Sequence, residues 1–241
     1  MNQRPIDSNN IIAIVPAAGV GKRMESHCPK QYLEVLGKTV LEHTVYKLLA
    51  NEHINNVIVA ISEGDAYFSS TTLSSHPNVF RVTGGKERVD SVLAGLKSSK
   101  AKEYDWALVH DAARPCVNND DIQQLITKCF SRNEGGLLAY PVRDTMKRSV
   151  KNTEDVAETV NRDQLWHALT PQIYKRVQLI TAIESGIFNQ LTITDESSAI
   201  EAAGGISMLV AASSENIKIT RPDDLAHASF ILAKQQEKAC E

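Results

Sequence analysis

The stretch 11–30, IIAIVPAAGVGKRMESHCPK, combines three features that decide the fold around it. Residues 11–15 form an apolar and largely β-branched run, which is typical of a strand buried on both faces of a sheet. Residues 16–21 form a turn of small residues, which lets backbone N–H groups approach a ligand. Three cations follow the strand within nine positions: Lys22, Arg23 and Lys30. Together these features predict a phosphate-binding loop.

This sequence does not match the motifs of two common phosphate-binding loops. A Walker A loop has four residues between its first glycine and a Gly-Lys-Ser/Thr, whereas Gly19 and Gly21 are two positions apart and Arg23 follows the lysine. The dinucleotide fingerprint needs a third glycine where Met24 stands. A Gly-x-Gly turn alone is equally compatible with a plain strand-to-helix connection that carries surface charges. The rest of the chain therefore has to decide between these interpretations.

Composition narrows the class of protein. A length of 241 residues, 42% of them hydrophobic, fits one sizeable domain. The net charge of −3 disfavours nucleic acid as the main partner. No apolar run approaches the ~20 residues of a membrane span. The four cysteines form no C-x-x-C pair, which favours reduced thiols over a disulfide framework. We therefore expect a cytoplasmic protein that binds neither nucleic acid nor a membrane.

Beyond the loop, short apolar runs alternate with amphipathic helical patterns. The predicted strands are 11–15, 56–61, 79–82, 106–110, 137–142, 206–211 and 216–220. The predicted helices are 39–49, 86–96, 119–132 and 175–186, with two more that begin near Thr194, as N-cap, and at Arg221. A strand–helix–strand succession of this length is a right-handed parallel crossover. The pattern predicts a doubly wound, mostly parallel α/β sheet.

Residues 143–163 interrupt the alternation. A strand pattern over 145–150, a polar turn and a strand pattern over 156–160 predict a β-hairpin with few large apolar residues. A hairpin without its own core is marginal in water, so it should pack on something, and a second copy of the chain is an economical candidate. We expect one domain, 1–241, with an inserted β-arm at about 143–163.

Polar residues recur where predicted strands end. Gly84-Gly85 lies between the strand 79–82 and a helix, where backbone N–H groups are available to a ligand. Asp111 and Arg114 follow the strand 106–110. Ligands of open α/β sheets bind at the carboxyl ends of strands, so these residues should face the first loop. An aspartate at this position is also compatible with a helix-capping role.

Taken in order, these motifs resemble those of nucleotidyltransferases of the nucleotide-sugar pyrophosphorylase superfamily, and among them the 2-C-methyl-D-erythritol 4-phosphate cytidylyltransferase family. The matching motifs are PAAGxGxRM at 16–24, PKQY at 29–32, GGxERxDSV at 84–92, VHDAARP at 109–115, DTMK at 144–147, LTPQ at 169–172, TDE at 194–196 and NIKITRPD at 216–223. Each motif is modest alone, but the ordered set is specific and runs from about residue 11 to 232. Two departures from the family pattern are Lys86 and Ser198.

The resemblance implies a Rossmann-like nucleotidyltransferase fold and cytidylyl transfer from CTP to 2-C-methyl-D-erythritol 4-phosphate, with Mg²⁺ as cofactor. The catalytic residues it implies are Arg23, Lys30, Arg162 and Lys218, with Asp111 as the metal ligand. The substrate-binding residues it implies are Ala17, Ala18, Gly19, Gly21, Gly85, Ser91, Arg114, Thr145, Thr170 and Thr194. It also implies a homodimer in which the arm crosses to the other copy, so that Thr145 and Arg162 serve the opposite site.

The chemistry is consistent with this set of residues. A phosphate monoester has a second pKa of about 6 and is mostly dianionic at neutral pH, so the attacking group needs no general base. The difficulty is to bring two anions together while charge grows on the leaving pyrophosphate, which calls for positioning, cations and a metal.

Other interpretations stay open on the sequence alone. A ribitol-5-phosphate cytidylyltransferase would share the cytidylyl half of the site, and a non-catalytic nucleotide-binding protein could share the fold. His110-Asp111 could belong to a metal-dependent phosphohydrolase, although no second His/Asp set supports that interpretation.

Overall fold

The computed structural model describes residues 11–19 and 28–239. The predicted site residues Gly21 and Arg23 lie outside these described residues. The strands are β1 (Ile11–Pro16), β2 (Glu34–Val35), β3 (Lys38–Thr39), β4 (Ile54–Ile61), β5 (Val79–Thr83), β6 (Trp106–Val109), β7 (Gly136–Pro141), β8 (Met146–Ser149), β9 (Val156–Val160), β10 (Trp166–Lys175) and β11 (Met208–Ala211). The helices are α1 (Val40–Leu49), α2 (Arg88–Lys97), α3 (Asn119–Arg132), α4 (Arg176–Phe188), α5 (Glu196–Ala202) and α6 (Asp223–Ala239). Among these helices, none is long and apolar enough to cross a bilayer.

A mixed sheet organises the described chain. Its seven strands lie in the order β11-β7-β10-β6-β1-β4-β5 within the described residues. The pairs β1–β4, β1–β6, β4–β5 and β7–β11 are parallel, and β10 runs antiparallel to both of its neighbours, β6 and β7. The predicted mostly parallel α/β fold is confirmed. The chain order reverses beside β1, and this is the place in an open sheet where ligands bind.

Both faces of the sheet are covered because β1 is apolar at every position. Ile11, Ala13 and Val15 pack in one core cluster with side chains of α1 and α3. Ile12 and Ile14 point the other way, into a cluster with α2, α4 and α5. Successive strand residues face opposite sides, so a strand that is buried on both sides requires this unbroken apolar run. The predicted doubly wound arrangement follows directly from the sequence.

The predicted strand at 216–220 is wrong, since the structure has no regular secondary structure there. Ile219 is fully buried, and this burial rather than strand pairing accounts for the apolar pattern. The backbone N–H of Ile219 donates to the carbonyl of Ala113 at 2.9 Å, while its carbonyl accepts from Lys30 Nζ at 2.8 Å. A side chain thus takes the acceptor that a neighbouring strand would use.

The start of α5 also differs from its prediction. Its N-cap is Asp195 and not Thr194, because the Asp195 carboxylate accepts from the Ser198 backbone N–H at 3.0 Å. The Ser198 hydroxyl in turn accepts from the Asp195 N–H at 3.2 Å, which completes a reciprocal capping box. The serine that departs from the family pattern therefore has a structural role in this chain.

The hairpin predicted within 143–163 is present as the antiparallel pair β8–β9. Over residues 143–165 every residue is exposed except Met146 and Val160, which are partly buried. Even the apolar Val156 is 61% exposed. The arm therefore buries little of its own apolar surface in a single chain.

Candidate active site

A cleft of about 180 Å³ opens at the carboxyl ends of β1, β5 and β6. Turns that follow these three strands form most of its wall. The lining residues are Pro16, Ala17, Ala18, Gly19, Lys30, Gln31, Gly85, Lys86, Glu87, Arg88, Ser91, Asp111, Ala112, Ala113 and Lys218. The sheet therefore gathers at one edge several of the polar and charged residues that the sequence placed at strand ends.

The turn after β1 is fixed through its carbonyl oxygens. Gln31 is buried, and its Nε2 donates to the Ala17 carbonyl at 2.6 Å. The Ser62 hydroxyl donates to the Ala18 carbonyl at 2.8 Å. Both bonds come from side chains distant in sequence, so the small-residue turn is held in place by its surroundings.

The turn after β5 presses against the first turn. A Cβ at Gly84 would lie 2.7 Å from Ser91 Oγ and 2.8 Å from the Cβ of Ala18, distances that real Cβ contacts do not reach. The Gly85 N–H donates to Ser91 Oγ at 3.1 Å, which fixes the turn to the first part of α2. Glycine at 84 is therefore required for the close approach of the two turns that wall the cleft.

Asp111 lies at the base of the cleft with cations on both carboxylate oxygens. Arg88 Nε donates to Oδ1 at 2.8 Å, Lys218 Nζ lies 2.8 Å from Oδ2, and Arg114 Nε lies 3.5 Å from Oδ2. The Asp111 side chain is 9% exposed. Burial alone would raise its pKa, but the charges of Arg88, Lys218 and Arg114 hold the pKa well below its usual range. Asp111 therefore stays ionised.

Arg88 also binds a second carboxylate. Its Nη1 and Nη2 donate to the two oxygens of Glu196 at 2.7 and 3.1 Å, and the Glu196 side chain is 2% exposed. Burial would lower the pKa of Arg88, but Glu196 and Asp111 raise it above its ordinary value. Sequence reasoning missed both Arg88 and Glu196. Both lie in motifs of the resemblance, Arg88 in GGxERxDSV and Glu196 in TDE, yet a single sequence carries no signal that pairs residues 108 positions apart.

Behind Asp111 lies a chain of hydrogen bonds. The Asp111 N–H donates to Thr170 Oγ1 at 3.0 Å, Thr170 Oγ1 lies 2.9 Å from His110 Nδ1, and His110 Nε2 lies 3.0 Å from the Arg114 carbonyl. A carbonyl can only accept, so Nε2 carries the proton and Nδ1 accepts from the Thr170 hydroxyl. Burial lowers the pKa of His110 to about 4, in keeping with this neutral form. Thr170 thus supports the Asp111 backbone.

The irregular segment 216–220 brings Lys218 to Asp111. Arg114 Nη1 donates to the Asn216 carbonyl at 2.7 Å, and Asn216 Nδ2 donates to the Thr170 carbonyl at 2.8 Å. Together with the Lys30–Ile219 bond, these contacts fix the backbone on both sides of Lys218. The alternating pattern of residues 216–220, which predicted a strand, thus belongs to an irregular segment whose backbone is fixed by hydrogen bonds from side chains at the site.

The predicted site residues fall into five groups by their position. Eight line the cleft: Ala17, Ala18, Gly19, Lys30, Gly85, Ser91, Asp111 and Lys218. Arg114 and Thr170 lie directly beside it, in contact with Asp111. Thr145 and Arg162 lie on the arm, and Thr194 is exposed before α5. Gly21 and Arg23 lie outside the described residues. The functional roles of all of them stay predictions.

The cleft fits a magnesium ion only in a particular way. In the described part of the chain, no group of three or more His, Cys, Asp or Glu side chains could enclose a metal ion. Magnesium in phosphate-transfer sites is usually bound by one or two carboxylates together with substrate phosphates and water. Asp111 supplies one such ionised carboxylate. The donor set therefore fits an ion held mainly by a triphosphate, with Asp111 as the protein ligand.

A mostly parallel sheet whose strand ends carry a small-residue turn, lysines and one ionised carboxylate defines the class of α/β nucleotidyltransferases. Comparison with known proteins narrows the class. The chain belongs to the 2-C-methyl-D-erythritol 4-phosphate cytidylyltransferase (IspD) family, whose family model matches residues 11–234. The resemblance seen in the motifs is confirmed.

Individual relatives cover nearly the whole chain. The 2-C-methyl-D-erythritol 4-phosphate cytidylyltransferase of Colwellia psychrerythraea is 57% identical and covers 93% of this chain and 95% of its own length. That of Vibrio vulnificus is 50% identical, over 95% and 97% of the two chains. The crystal structure of the enzyme from Francisella tularensis superposes with a TM-score of 0.79 at 37% identity and covers 92% of this chain and 100% of that one.

Proposed function

We propose that this chain transfers the cytidylyl group of CTP to 2-C-methyl-D-erythritol 4-phosphate, giving 4-diphosphocytidyl-2-C-methyl-D-erythritol and pyrophosphate in the non-mevalonate isoprenoid pathway. Family membership over 11–234 supports the substrates. The observation that carries the mechanism is the arrangement of Lys30, Asp111 and Lys218 around one cleft beneath the two glycine turns.

The reaction needs charge compensation rather than proton transfer. An oxygen of the methylerythritol phosphate attacks the α-phosphorus of CTP, a new P–O bond forms, and the bond to the leaving pyrophosphate breaks. Lys30 and Lys218 supply positive charge at the cleft, and the motif position of Arg23 adds a third cation. Cations that are preorganised where charge develops are the main source of rate in such transfers.

In this proposal the two turns hold the cytidine half of CTP. Ala17, Ala18, Gly85 and Ser91 line the cleft, and the fit of Gly84 against Ala18 sets the spacing between the turns. A site made of small residues suits a flat base and a ribose, because backbone groups can approach them closely.

Asp111 would hold Mg²⁺ together with the triphosphate. When bound, the ion neutralises phosphate charge and stabilises the leaving pyrophosphate. The contribution of the chain is the ionised carboxylate at the base of the cleft, held by Arg88 and Lys218.

The second substrate would be held partly by another copy of the chain. The exposed arm carries Thr145 and Arg162, and Arg162 Nη1 donates to the Arg143 carbonyl near the start of the arm. An arm that buries little apolar surface in one chain gains stability by packing on a partner. We therefore propose a homodimer of single-domain subunits in which each arm completes the opposite cleft.

A cytoplasmic location completes the proposal. Cys116 and Cys129 are buried thiols outside any disulfide, as expected in a reducing compartment.

The test is pyrophosphate release from CTP and Mg²⁺, with no acceptor, with 2-C-methyl-D-erythritol 4-phosphate, and with ribitol 5-phosphate. The proposal predicts release that depends on the methylerythritol phosphate. Release that depends only on ribitol 5-phosphate would keep the mechanism and overturn the substrate. If no pyrophosphate is released with either acceptor, the proposed function is overturned.

A further inference from the structure

Arg88 is the side chain that joins three elements of the site. It belongs to the first residue of α2, directly after the turn 84–87 that lines the cleft. Its guanidinium reaches Asp111, which follows β6, and Glu196, the first residue of α5. One group thus contacts the acid at the base of the cleft and an acid on a helix that does not line it.

The contacts of Arg88 use the full geometry of a guanidinium. Nε donates to Asp111 at 2.8 Å, while Nη1 and Nη2 donate to Glu196 at 2.7 and 3.1 Å. A planar fork with fixed donors sets both the distance and the orientation of its carboxylates, which a lysine ammonium cannot do. Glu196 is buried and fixed in the first turn of α5, so it holds the guanidinium in one plane.

We propose that Arg88 and Glu196 are positioning residues for the proposed transfer: Glu196 orients Arg88, and Arg88 holds Asp111 by Oδ1 so that Oδ2 faces Lys218 and the cleft. This inference rests on the proposed function. Neither residue needs to touch a substrate. A displacement of the reacting groups by about 1 Å can cost as much as 10²-fold in rate, so the orientation of Asp111 has a measurable consequence.

The first experiment uses Arg88→Lys, which keeps the positive charge and removes the forked guanidinium. We expect kcat to fall about 10- to 100-fold, while KM for CTP and the calorimetric Kd for CTP stay within about 3-fold. Arg176→Lys is the matched control. Arg176 is a partly buried arginine that donates to the Tyr104 and Leu96 carbonyls, and it does not line the cleft. It should lower the melting temperature without lowering kcat.

The second experiment asks whether Arg88 acts through Asp111. In an Asp111→Ala background the group to be positioned is gone, so adding Arg88→Lys should lower kcat by less than about 2-fold. Glu196→Gln, which keeps the shape and removes the charge, should lower kcat about 10-fold in the wild type. The Arg88→Lys/Glu196→Gln double variant should be no slower than the slower single variant.

The outcomes separate the two proposals. An equal loss of kcat from Arg88→Lys with and without Asp111 would overturn the positioning role, and so would a rise in KM for CTP at constant kcat. An equal kcat loss in Arg176→Lys would assign the effect to stability and would also overturn it. If Arg88→Lys does not fold, an unchanged kcat in Glu196→Gln would overturn it. If the wild-type protein releases no pyrophosphate with either alditol phosphate, the proposed function is overturned. The positioning role of Arg88 in that reaction is then overturned with it.

Discussion

The base of the cleft and the β-arm carry predicted site residues, yet they differ in almost every physical respect. At the base, Asp111 is buried, and its carboxylate is bonded within the chain to Arg88 and Lys218. On the arm, residues 143–165 are exposed except for two that are partly buried. Within the described residues, one chain by itself fixes the acid at the base of the cleft, whereas the proposal requires the arm to pack on a second copy.

The largest expected effect is at the cleft. Lys30→Ala should lower kcat by about 10²–10³, because in the proposed mechanism it removes a cation from the place where charge develops, while the Kd for CTP changes much less. Steady-state kinetics and calorimetric titration with CTP measure the two quantities. Lys234→Ala is the control, since Lys234 pairs with Glu215 at 2.7 Å and does not line the cleft. A loss of CTP affinity with kcat unchanged would mean that Lys30 contributes only to ground-state binding.

Removal of the arm should affect the second substrate rather than the first. We expect that replacing residues 144–161 by a short Gly-Ser linker gives monomers and lowers turnover by about 10² or more, with CTP binding retained, because the cleft that binds CTP is built within one chain. Light scattering and calorimetry check the two expectations. A dimer that survives the deletion would show that the arm is not the interface.

Most of the fold could be predicted from the sequence because apolar periodicity is a local signal. The strand β1, the helix α3 and the hairpin β8–β9 lie where their patterns predicted them. The segment 216–220 was predicted wrongly because its alternating apolar pattern is the same in two situations. Its backbone groups can hydrogen-bond to a neighbouring strand or, as here, to side chains such as Lys30. The Arg88–Glu196 pair was missed since it depends on how α2 and α5 meet in space.

A smaller effect should come from crowding the two turns. Gly84→Ala would place a Cβ 2.7 Å from Ser91 Oγ and 2.8 Å from the Cβ of Ala18, so the turns must separate. We expect about a 10-fold rise in KM for CTP and a modest loss of thermal stability, measured by kinetics and by a melting curve. An unchanged KM for CTP together with an unchanged melting temperature would contradict the close approach of the two turns.

The smallest expected effect concerns the reactivity of the cysteine thiols, which should differ between the buried core and the surface. Burial raises the pKa of the Cys116 and Cys129 thiols to about 12, so at pH 8 both should be almost wholly protonated and unreactive in the folded protein. Alkylation with iodoacetamide followed by peptide mass spectrometry should leave both unmodified until urea unfolds the chain. A cysteine introduced outside the arm, Ile206→Cys, is the exposed reference, since Ile206 is 75% exposed. Rapid labelling of Cys116 or Cys129 in the native state would contradict the burial.

If one cleft and the arm of another copy form each site, two variants that are inactive alone should restore activity when their subunits mix. Lys218→Ala removes a cleft cation and Arg162→Ala removes an arm cation, so each homodimer should be nearly inactive. Random re-pairing of an equal mixture makes about half of the dimers mixed, with one intact site in each, so the account predicts recovery of roughly a quarter of wild-type turnover. A mixture that pairs but stays as inactive as its parents would contradict it, because both residues would then serve the same chain.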